Sequence, residues 1–98
     1  MKYIVFGKEN CPYCVKAKNL LESRGHDFSY FDVGNDGHAF QTMLDRVTDA
    51  TGKPPRTVPQ IFVDDEGLLT YIGGHDDLVE ALKKSQKEEL DDEDFDFE

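Results

Sequence analysis

The stretch "KYIVFG", residues 2–7, is a continuous run of β-branched and aromatic residues ended by glycine, which is the pattern of a buried strand. From Tyr13 to Arg24 the chain turns to Ala, Lys, Leu and Glu, with Val15, Ala17, Leu20 and Leu21 giving an apolar side and Gly25 placed to end a helix. "DFSYFDV", residues 27–33, alternates aromatic and polar positions as a second strand does, and "GNDG" follows as a turn. Phe40, Met43, Leu44 and Val47 recur at the spacing of one helix face over residues 38–50. "QIFV" and "LLTYI" flank the acidic turn "DDEG" and predict an antiparallel hairpin whose loop length the pattern leaves open. After Gly73 and Gly74, Asp76 or Asp77 is placed to cap a last helix carrying Leu78, Val79, Ala81 and Leu82. This order of elements predicts a three-layer α/β unit, four strands in a central sheet flanked by three helices.

At 98 residues and 38% hydrophobic, the chain has material for one compact domain and a modest core. The formal charge of −10 is concentrated at one end: residues 88–98, "EELDDEDFDFE", hold acids and no base. With so little apolar surface to offset ordering, that tail is expected to be disordered, so the domain is placed at residues 1–87. The remaining body is nearly neutral and has no basic stripe or basic helix, which argues against nucleic-acid and anionic-membrane partners. No apolar run approaches a membrane span, and Met1-Lys2 leads straight into a strand, so a soluble cytoplasmic protein is expected, monomeric by default.

The only two cysteines are Cys11 and Cys14, in "KENCPYCVKA". A bridge closing so short a loop restricts the unfolded chain little, so reactivity is a better reason for the pair than stability. Cys11 falls at a strand-to-helix junction, where free backbone N–H groups and the helix dipole favour an anion, and a thiolate is one. Pro12 suits the first helical turn, and Lys8 adds a cation that lowers the thiol pKa. Cys11 is therefore the expected nucleophile, with Cys14, one turn into the helix, as the resolving thiol. A zinc site built from the pair and two of His26, His38 and His75 has no ligand spacing to recommend it, and no metal is expected. His26 and His38 read as loop residues, and His75 as a loop residue bordering the site.

With Cys11-Pro12-Tyr13-Cys14, Thr57-Val58-Pro59-Gln60 and Gly73-Gly74-His75-Asp76-Asp77 in this order, residues 2–84 resemble a dithiol glutaredoxin of the short bacterial and phage type. The resemblance implies a thioredoxin-like fold with a mixed sheet, a cis Val58–Pro59 bond, and glutathione as electron-donating co-substrate. It implies protein disulfides and glutathione adducts as substrates, with ribonucleotide reductase among the acceptors it admits. Carried over by position, Val58 would pair its backbone with the cysteine of glutathione, Lys8 and Arg56 would hold the glycine carboxylate, and Tyr13 would lie against the tripeptide. Asp76 and the N–H groups around Gly74 and His75 would take the γ-glutamyl end, while Thr57 and Pro59 shape the loop. The segment "DATGKPPR" and the hairpin look longer than in short members, which bears on the choice of protein substrate.

Two other functions share these features. A thioredoxin-like reductase fed by a thioredoxin reductase would use the same fold, though the C-P-Y-C motif and the lack of Trp argue against it. An iron–sulfur carrier would use Cys11 as ligand, against which Pro12 stiffens the loop and Cys14 competes. Phe95 and Phe97, set among carboxylates, make the tail either a solubilising end or a segment that docks in a basic groove of a partner.

Overall fold

The computed structural model describes residues 1–90, with elements β1 (Lys2–Gly7), α1 (Pro12–Ser23), β2 (Phe28–Asp32), α2 (Gly37–Thr51), β3 (Gln60–Asp65), β4 (Leu68–Gly73) and α3 (His75–Leu90). The strands form one mixed sheet in the order β2-β1-β3-β4. β1 pairs parallel with β2, Tyr3 opposite Phe28 through Gly7 opposite Asp32, while β1 with β3 and β3 with β4 are antiparallel. The parallel pair needs a crossover, and α1 supplies it.

Alternation along the central strands sends successive side chains to opposite faces. Tyr3, Val5 and Ile61 pack against Ala17 and Leu21 of α1 and Leu78 and Leu82 of α3. Their neighbours Phe6 and Phe62 face the other way, onto Met43 and Val47 of α2. The result is a helical layer on each side of the sheet, the three-layer arrangement predicted from the pattern.

Side-chain placement departs from the sequence reading at several points. Val15 is 47% exposed, and the buried face of α1 is Cys14, Ala17 and Leu21. Phe40 is 44% exposed; Ala39, Met43 and Val47 make the buried stripe of α2. His38 is helical, in the first turn of α2, which Asp36 caps by accepting the His38 and Ala39 N–H groups. The hairpin closes through Glu66 (φ 55) and Gly67 (φ 89), a two-residue turn with both φ positive, whose twist matches that of the strands. Neither Asp76 nor Asp77 precedes α3 as its cap: the helix starts at His75, and Asp77 reaches back to accept the Gly74 N–H at 3.0 Å. α3 runs to Leu90, and the disorder expected for the acidic tail concerns, from residue 91 on, residues outside those described.

Candidate active site

β1 ends at Gly7, and a turn through Lys8, Glu9 and Asn10 lifts the chain out of the sheet. Asn10 sits at φ 60, in the left-handed region that asparagine tolerates better than most residues. The turn brings Cys11 to the N-cap of α1 with extended backbone (φ −114, ψ 104) and Pro12 just inside the helix. The Cys11 carbonyl accepts the Val15 N–H at 3.1 Å, and its Sγ accepts the Cys14 N–H at 3.3 Å. Sulfur thus occupies the place that a serine or aspartate oxygen usually takes at a cap. A negative sulfur there is favoured by the N–H group and by the positive end of the helix dipole.

Cys11 and Cys14 are joined in a disulfide. Cys14 is fully buried, and Cys11 is itself largely enclosed, at 8% exposed. It packs against the loop before β3, where the Val58 carbonyl oxygen lies 3.8 Å from Cys11 Sγ. The Val58–Pro59 peptide bond is cis. Gln60 fixes this loop from below: its buried side-chain amide donates to the Thr57 carbonyl at 2.8 Å, and its oxygen accepts from the Tyr71 hydroxyl.

Two grooves meet at Thr57 and Val58. The first, about 380 Å³, runs from Tyr13 past Thr57, Val58 and Pro59 to Gly74, His75 and Asp76 at the start of α3. The second, about 280 Å³, lies on the other side of Thr57 and Val58 and holds the cations Lys8 and Arg56. All nine residues assigned to glutathione from sequence therefore border one or other groove, and none stands apart.

The side chains of the first groove are tied to one another. The His75 ring lies 5.6 Å from that of Tyr13, and its Nδ1 is 3.2 Å from Asp76 Oδ1. Lys16 Nζ also sits over the Tyr13 ring, 5.0 Å from its centre. His75 is thus the first residue of α3 and part of the groove wall, not a loop residue at its border. Sequence reasoning missed Asp77, which lines this groove, and Val33, Phe40 and Met43, which floor the second. It also missed Gly7, where a Cβ would stand 2.9 Å from Cys14 Sγ. Asp77 had a signal, the cap three residues into a helix after Gly-Gly; the others had none short of three-dimensional packing.

The glutaredoxin family model matches residues 3–68, a span that holds the cysteine pair and the Thr57–Gln60 loop. The chain belongs to the glutaredoxin family. It is 42% identical over 91 residues to a glutaredoxin of Haemophilus influenzae, covering 88% of this chain and 94% of that one. Reduced glutaredoxin of Escherichia coli matches with a TM-score of 0.64 at 34% identity, over 89% of this chain and 99% of that one. A buckwheat glutaredoxin–glutathione complex matches with a TM-score of 0.66 at 26% identity, over 86% and 70%. This glutaredoxin is thus a thiol–disulfide oxidoreductase of thioredoxin-like fold, with Cys11 and Cys14 as its redox-active pair. Among the described residues, no cluster of three or more His, Cys, Asp or Glu is arranged to hold a metal, and no helix is long and apolar enough to cross a membrane.

Proposed function

We propose that this glutaredoxin draws its electrons from glutathione and passes them to protein disulfides and glutathione mixed disulfides in the cytoplasm. The observation that carries the proposal is the meeting of two grooves at Val58, whose carbonyl is 3.8 Å from Cys11 Sγ. A tripeptide laid across that point would pair its cysteine backbone with Val58 as an added strand does. Its glycine carboxylate would reach Lys8 and Arg56. Its γ-glutamyl carboxylate would meet the N–H groups of the first turn of α3, and its amine Asp76. The buckwheat relative, solved with glutathione, supports the same use of the fold.

In the reduced protein, the Cys11 thiolate attacks a substrate disulfide, forming one S–S bond and releasing one substrate thiolate, which takes up a proton. Cys14 then loses its proton and attacks Cys11 Sγ, freeing the second substrate sulfur as a thiol. A two-electron reduction of substrate is matched by formation of the Cys11–Cys14 bridge. One glutathione thiolate opens that bridge at Cys11, and a second attacks the attached glutathione sulfur, leaving glutathione disulfide and the reduced pair. The Cys11–Cys14 bridge uses the sulfur that a cluster ligand would need, which favours this cycle over iron–sulfur carriage.

The test is turnover with glutathione on a protein disulfide and on a small glutathione mixed disulfide. Cys11→Ser is expected to lose both activities, and Cys14→Ser to lose the first and keep part of the second. Turnover of wild type that does not saturate with glutathione but does with a thioredoxin reductase would replace this reading with the thioredoxin-like one.

A further inference from the structure

The second groove is more than glutathione needs. Its cations, Lys8 and Arg56, suit one carboxylate, but its floor is apolar, made by Val33, Met43 and the half-exposed ring of Phe40. Glutathione has no apolar side chain to cover that floor. An occupant that satisfies both halves carries carboxylates and a large hydrophobic group close together. The first groove is lined by Asp76 and Asp77 with no lysine or arginine, so it suits one carboxylate held by backbone N–H groups but disfavours a segment of many carboxylates.

The chain itself contains such a segment: "DDEDFDFE", residues 91–98, in which Phe95 and Phe97 alternate with acids. Covalent geometry decides whose groove it reaches. α3 begins at the first groove with His75 and ends at Leu90, about 22 Å farther on at the rise of a helix. From Leu90, Phe95 can reach at most ~18 Å and Phe97 at most ~25 Å even with the chain fully extended. The second groove lies past the first, on the sheet face covered by α2, whereas α3 covers the other face. Phe95 therefore falls short of its own groove, and Phe97 would need an almost fully extended chain running back along α3 and round to the other face of the sheet, so a second copy is the easier host.

From this charge match and this reach we infer that residues 91–98 of one molecule dock in the Lys8–Arg56–Phe40 groove of a second copy. A phenylalanine covers the Phe40 and Met43 surface, and flanking carboxylates face Lys8 and Arg56. The association is intermolecular, so it grows with concentration, and it weakens with salt because its charged contacts are exposed. It also covers the two cations proposed for the glycine carboxylate of glutathione.

The test measures weight-average mass of the full-length protein by sedimentation equilibrium as concentration is raised at low salt. Rising mass is expected, with weaker association at high salt and about tenfold weaker association in Arg56→Glu. A full-length variant with Phe95→Ala and Phe97→Ala is expected to lose it. In parallel, a peptide of residues 88–98 added to isotope-labelled full-length protein should shift the amides of Val33, Phe40 and Met43. Mass independent of concentration overturns the inference, as does association that survives the two Phe→Ala changes or peptide shifts confined to the start of α3. No thiol chemistry enters these measurements, so their outcome is separate from that of the glutathione reading.

Discussion

At Cys11 one side chain is both the cap of α1 and half of the redox-active pair, and its neighbours are packed around that double use. Gly7 is one of them: a Cβ there would stand 2.5 Å from the Tyr30 hydroxyl and 2.9 Å from Cys14 Sγ, so only hydrogen leaves room for the Cys14 sulfur. Gly7→Ala is expected to destabilise the fold by about 1–3 kcal/mol, the usual cost of overpacking. By displacing Cys14 it should also lower turnover of protein disulfides more than that of glutathione mixed disulfides, as paired denaturant and activity measurements would show. A second residue-level effect is electrostatic. The Asn35 side-chain amide donates to Asp32 at 2.7 Å and, with smaller help from the Gly34 and Asn35 N–H groups, holds that carboxyl below the usual range. A lowered folded pKa means that the stabilisation is present above the unfolded value and is lost as pH falls through the folded one. Asn35→Ala should raise the Asp32 pKa toward the ordinary value, read by carboxyl NMR, and flatten the acid-side loss of stability. The cysteines were legible in the sequence because their chemistry is written in residue type and position. Phe40 was not, because helical spacing defines a stripe but not where the sheet beneath it stops; here Phe40 borders a groove instead of a strand.

Among the elements, α3 shows how a helix start becomes the wall of a groove. Gly73 has φ 124, which side-chain-bearing residues rarely adopt, and a Cβ on it would collide with the Asp77 carboxylate. That carboxylate holds the Gly74 N–H and faces the first groove. Asp77→Ala should cost about 0.5–2 kcal/mol, the usual worth of a helix-capping side chain. Faster hydrogen exchange at Gly74 would place the loss at this helix start, and exchange unchanged there would argue against the capping role. Most element bounds were legible to within a residue or two, since apolar periodicity and Gly breaks mark them directly. The hairpin was not. Asp64 and Asp65 read as turn residues, yet they extend β3 opposite Leu69 and Leu68, and only Glu66 and Gly67 turn. Polar residues on an exposed strand end look like loop because nothing apolar is needed there.

For the molecule as a whole, the two cores are one cooperative unit because β1 and β3 feed both: Val5 and Ile61 go to one, Phe6 and Phe62 to the other. The order of elements made this layering legible, whereas the two grooves depend on loops whose conformation no periodicity encodes. Leu21 and Met43, both almost fully buried, report on the two faces separately. Leu21→Ala and Met43→Ala should each cost about 2–5 kcal/mol. Lying on opposite faces with no shared core cluster, they should add to within about 0.5 kcal/mol. The double variant would then lose much of the ~5–15 kcal/mol typical of a domain. Each single variant should still unfold in one transition, with calorimetric and van't Hoff enthalpies in agreement, since neither core persists without the shared strands. Met43 also floors the second groove while Leu21 lines neither, so only Met43→Ala should weaken capture of the residue 88–98 peptide per folded molecule. Two separated unfolding transitions in Leu21→Ala would show that the helical layers are held independently and that the sheet does not couple them.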